Sequence, residues 1–186
     1  MNSKKQNKNI GRKNMDSKVK QEMDEVIAEL KKFTSNVLDW RGPASPELIK
    51  RFESEYQVNL PEDYKYLLSF TNGFSLMGDE ILGITFFQYG EDLANVYQFE
   101  HFEVAVPQYK HLIPFSPDGG GSFYCFDTHV KTNNGASNQI VFWYSNYEYT
   151  ESDPPEITHQ SLADYIKNWI ISLTLENYDY NGKERF

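Results

Sequence analysis

At 186 residues, with 39% hydrophobic and 16% aromatic side chains, the chain has enough apolar material for one core and one domain. No apolar run approaches the roughly 20 residues that cross a bilayer, and the basic, polar stretch MNSKKQNKNIGRKN lacks the apolar segment of a secretory signal. A single cysteine, Cys125, excludes an intramolecular disulfide and a multi-cysteine metal centre, and together these features predict a cytoplasmic, reducing setting.

The net charge of −9 is unevenly spread. Residues 1–20 hold seven Lys/Arg and one acid, a net +6; residues 21–186 hold eleven Lys/Arg and twenty-six acids, a net −15. An acidic body repels nucleic acid and attracts basic proteins. The basic residues 1–16 read as a disordered tail.

The first helix is expected from Asp16 or Ser17, because Val19, Met23, Val26, Ile27, Leu30 and Phe33 recur every three or four residues. The stretch 38–43 (LDWRGP) breaks that pattern. Ser45 is a good N-cap, with Pro46 in the first helical position and Leu48, Ile49, Phe52 and Tyr56 along one face. A third helix starts at Pro61, presents Tyr64, Leu67, Leu68 and Phe70, and stops at Asn72-Gly73. Strands are predicted over 80–87, 111–116, 122–128 and 139–144, with turn chemistry over 132–137 between the last two, an antiparallel pair. Residues 91–110 fit either a helical turn or an irregular crossing. An acidic loop (YEYTESDPPE) leads to a capping box formed by Ser161 and Asp164. The last helix has an apolar face of Leu162, Tyr165, Ile166, Trp169, Ile170 and Leu173. Helices, then antiparallel strands, then a helix make an α+β fold.

The glycine run of SPDGGGSFYCFD invites comparison with a phosphate-binding loop. Such a loop needs a lysine and a hydroxyl after its glycines and a helix to follow. Here Asp118 precedes Gly119, Gly120 and Gly121, no lysine occurs before Lys131, and strand formers follow, so a structural turn is the better reading. His101, His111, His129 and His159 fall at no ligand-like spacing, so no metal or other cofactor is expected. Cys125 sits mid-strand as a small hydrophobe, and no GxSxG elbow occurs. Adjacent carboxylates arise readily in so acidic a chain and do not by themselves indicate hydrolysis.

A body rich in acids and aromatics, without a catalytic set, points to a binding module rather than an enzyme. Its candidate partner-binding residues are Asp79, Glu80, Glu91, Asp92, Asp118, Tyr144, Tyr147, Glu148 and Glu151.

Residues 44–74 (ASPELIKRFESEYQVNLPEDYKYLLSFTNGF) resemble the SUKH superfamily. The pattern is an amphipathic helix, an acid-rich turn, Leu60-Pro61, an acidic-aromatic helix start at Asp63-Tyr64, and the Asn72-Gly73 stop. Glu80-Ile81-Leu82-Gly83, the run LIPFSPDGGGSFYCFD and the final helix follow in the family's order; Ser122 stands where members often carry an acid. The resemblance implies one domain over 17–175, a curved, largely antiparallel sheet packed against N- and C-terminal helices, with 176–186 as a C-terminal tail. It also implies a non-enzymatic immunity protein that neutralises a cognate bacterial toxin domain, a nuclease by preference, without contacting nucleic acid or membrane. Fungal relatives regulate cell-wall synthesis, so a regulatory scaffold binding a cellular partner or small ligand is the alternative. Homo-oligomerisation is left open.

Overall fold

The computed structural model describes residues 15–86, 91–133 and 137–185. The basic tail read over 1–16 therefore lies almost wholly outside the described residues.

Helix α1 (Ser17–Leu30) starts where the Asp16 carboxylate accepts the Lys18 amide at 2.8 Å, and it buries Val19, Met23, Val26, Ile27 and Leu30. Strand β1 (Leu38–Trp40) follows. Helix α2 (Pro46–Tyr56) begins on the Ser45 cap, and α3 (Glu62–Leu68) begins after Pro61. Strands β2 (Phe74–Leu76) and β3 (Asp79–Ile81) complete a three-stranded antiparallel sheet in the order β1-β2-β3.

Of the strand expected over 80–87, residue 87 lies outside the described residues, and among the rest pairing ends at Ile81. Beyond that point other groups satisfy the backbone. Leu82 N donates to Phe115 O at 2.8 Å, and Leu93 N donates to Gly83 O at 2.8 Å. The Asn72 side chain brackets Ile84, accepting its amide at 2.7 Å and donating to its carbonyl at 2.8 Å. Gly73 permits this approach: its φ is +79°, and an added Cβ would stand 2.4 Å from Ile81 O.

Residues 91–110 contain a genuine helix, α4 (Leu93–Phe102), capped by Asp92. Strands β4 (Leu112–Pro117), β5 (Phe123–Thr132), β6 (Ser137–Trp143) and β7 (Glu156–His159) then form a second antiparallel sheet in sequence order. The glycine run joins β4 to β5. Asp118 Oδ1 accepts the Gly120 and Ser122 amides, each at 2.8 Å, while Gly119 and Gly121 take φ of +77° and +94°. The turn amides that would grip a phosphate are held by the protein's own aspartate. The final helix runs as α5 (Leu162–Tyr165), a π-helical turn (Ile166–Ile171) and α6 (Ser172–Asn177).

The α+β class matches expectation, but the strands divide between two sheets rather than one. The sheets meet where Ser116 Oγ donates to Glu80 O at 2.5 Å. Along β4–β6 the side chains alternate with period two. Ile113, Phe115, Phe126 and Ile140 enter the main core with the helices, while Leu112, Cys125, Val141 and Trp143 form a smaller cluster on the opposite face. Phe115 and Phe126 stack at 4.0 Å, and the Tyr64 hydroxyl donates to Leu82 O at 2.6 Å beside them. The segment after α6 folds back: Thr34 N donates to Tyr180 O at 2.9 Å, and Tyr180 packs edge-on against Phe33.

Candidate partner-binding surface

The antiparallel register sets Tyr124 of β5 opposite Phe142 of β6, and Phe142 opposite Glu156 of β7. Cross-strand aromatic neighbours pack on the sheet face: Tyr124 meets Phe142 at 5.0 Å, and Phe142 meets Tyr144 at 4.8 Å. The π-helical turn brings Trp169 to 6.1 Å from Tyr124 and 6.4 Å from His159. Together with Ile157 these side chains line a groove of about 510 Å³. Tyr144, Ile157 and Trp169 are 54%, 56% and 37% exposed, a large apolar area left in water.

Glu156 lines this groove, and the charges of two further acids act on its Tyr124. Burial, and then the charges of Asp118, Asp79 and Glu156, push the Tyr124 phenol up. Tyr165 is raised chiefly by burial, with Asp79 and Asp118 again contributing. Asp79 is half-buried and its own carboxyl is raised by that burial. Three carboxylates therefore act on one aromatic cluster.

The loop after β6 continues the surface. Tyr149 packs on Trp143 at 4.6 Å, and its hydroxyl accepts the Tyr144 amide at 2.9 Å. This anchor leaves Tyr144, Tyr147, Glu148 and Glu151 exposed, with Tyr147 hydrogen-bonded to Asp153. A larger groove of about 590 Å³ runs between α1 and the final helix. It has acids but none of the exposed tyrosine or tryptophan anchors that dominate interfaces.

The sequence-derived residues thus separate. Tyr144 lines the aromatic groove, Asp79 and Asp118 act on its Tyr124 through their charge, and Tyr147, Glu148 and Glu151 lie on the loop beside Tyr144. Glu91 is exposed and lines a separate hollow with Phe99, Phe123 and Gly121. Glu80 is engaged by Arg41 in a partly buried ion pair. Asp92 is only 5% exposed; it accepts the Asn95 amide at 2.9 Å and the Thr85 hydroxyl, so its carboxylate builds α4 rather than facing a partner. Tyr124, Phe142, Glu156, Ile157 and Trp169 were not singled out from the sequence as surface residues. Cys125 is fully buried, accepts from Gln108 Nε2 at 3.4 Å, and has its thiol pushed up by burial, as a packed side chain rather than a nucleophile.

Residues 43–168 match the model of the SMI1/KNR4 family (SUKH-1), well over half of the chain. The chain belongs to that family. A search of curated proteins finds no match. Among solved structures, a protein from Pseudomonas syringae pv. tomato is 19% identical and superposes with a TM-score of 0.55, covering 78% of this chain and 96% of that one. At that identity the likeness concerns the fold. SUKH membership is consistent with an immunity-type protein that works by binding another protein. Among the described residues no helix is long and apolar enough to cross a membrane.

Proposed function

We propose that this SUKH protein is a non-enzymatic immunity protein that binds and neutralises a basic toxin domain, a nuclease by preference. The observation that carries this reading is the aromatic groove lined by Glu156, with the charges of Asp79 and Asp118 acting on its Tyr124, on a body whose residues 21–186 carry a net −15. Tyr124, Tyr144, Trp169 and Ile157 supply rigid apolar area at low entropic cost, which is what interface anchors need. The carboxylates around them complement the Lys/Arg-rich surface that a nuclease presents to its phosphate substrate. Occupying that surface excludes nucleic acid without any turnover by the inhibitor.

The test is co-expression with the toxin domain encoded beside this gene. The wild-type chain is expected to restore growth and to co-elute with the toxin on gel filtration. Absence of both rescue and complex would overturn the proposal.

A further inference from the structure

The spacing of the histidines along the sequence carries no metal pattern, yet the fold assembles two of them with a carboxylate. His111 lies immediately before β4, and Asp127 and His129 lie in β5. The Thr128 amide and hydroxyl both donate to the His111 carbonyl, at 3.0 and 2.8 Å, which ties the start of β4 to the middle of β5. The register of β5 on β6 shifts between Asp127 and Lys131, and Asp127 Oδ1 accepts the His129 amide at 2.9 Å. The His111 and His129 rings stack 4.1 Å apart, with planes 11° from parallel. His111 Nε2 is 3.9 Å from Asp127 Oδ1, and one ligand atom from each of the three residues lies within 4.8 Å of the others.

We propose that His111, Asp127 and His129 form a binding site for a late first-row divalent cation, zinc(II) being the best match. Two imidazole nitrogens and one carboxylate oxygen are donors that zinc accepts, and three protein ligands leave a fourth position for water or a partner's side chain. In a tetrahedral site with metal–nitrogen bonds of about 2.0–2.1 Å the ligand atoms stand roughly 3.3 Å apart. Closing the present spacing to that requires the stacked His129 ring to rotate, and its side chain is exposed. His111 and His129 line a hollow of about 340 Å³ with Gln57, Asn59, Lys110 and Lys131. The Lys131 ammonium is held by Asn138 Oδ1 at 2.8 Å, and the two lysines weaken the site without filling it.

The test is a zinc(II) titration of the untagged full-length chain, read by calorimetry and by thermal melting. One equivalent is expected to bind and to raise the melting temperature. Changing a group that merely supports a ligand costs about 10- to 100-fold in affinity, so loss of a ligand in His111→Ala or His129→Ala is expected to cost at least that. His129→Ala alters an exposed side chain, and circular dichroism checks that its fold is retained. No saturable binding by the wild-type chain, or unchanged binding in both folded variants, would overturn the site.

Discussion

Trp169 and Tyr144 are the side chains on which the proposed docking depends most. Interface anchors of these types cost about 2 kcal/mol or more on truncation. Trp169→Ala and Tyr144→Ala are therefore expected to weaken toxin binding by roughly 30-fold each, measured by calorimetry, with little change in thermal stability. Asp92→Ala should do the reverse: losing the α4 cap costs about 1 kcal/mol of stability in a denaturant melt, while toxin affinity is retained. Asp63 has a different consequence. It is fully buried, and burial pushes its carboxyl up to about 6, although the Tyr64 amide donates to Oδ1 at 2.9 Å. The folded state therefore holds the proton more tightly than the unfolded state, whose carboxyl titrates near the ordinary value. This contribution to stability is full below the unfolded pKa and is lost as pH rises through about 6. Asp63→Asn removes that titration. Its stability relative to wild type should fall by about 2 kcal/mol as the pH is lowered from about 7 to 4, and a constant difference across that window would contradict the account.

At the scale of elements, legibility followed length and local chemistry. Helices α1, α2 and α3 were readable because apolar spacing, the Ser45 cap and Pro61 agree with one another. Strands β1 and β2 have three residues each and β7 has four, too few to establish an alternation. Asp92 resembled a surface acid because α4 is apolar on several sides and has no clean polar face, so the helix it caps was hard to see. The final helix was found, and Leu162, Tyr165, Ile166 and Ile170 of its expected face are buried, but Trp169 is not. A π-helical turn shifts the faces within the helix, burying Ile170 and Ile171 and leaving Trp169 partly in water. The anchor at the groove was thus hidden by a defect in periodicity. The histidine cluster was hidden for a related reason: it depends on β4–β5 pairing and a bulge, neither of which leaves a mark in sequence spacing.

At the scale of the whole molecule, charge makes the strongest prediction. Residues 21–186 carry a net −15, and such a field speeds encounter with a basic partner. The association rate with the toxin should therefore fall steeply as ionic strength rises, while the dissociation rate, set by the aromatic contacts, changes much less. Stopped-flow measurements across a salt series check this. The fold itself was largely legible in the order of its landmarks, from Leu60-Pro61 through Asn72-Gly73 to the glycine turn. The proposed surface was legible only in part: Tyr144 stood out in the sequence, whereas Glu156, Ile157 and Trp169 reach the same groove through strand pairing and helix packing.

The most direct measurement is the affinity of the purified chain for the toxin domain encoded beside its gene, compared between wild type and a Tyr144→Ala/Trp169→Ala double variant that melts like wild type. The account predicts a one-to-one complex with the wild type and a loss of at least about 100-fold in the double variant. A double variant that binds as tightly as the wild type would contradict it.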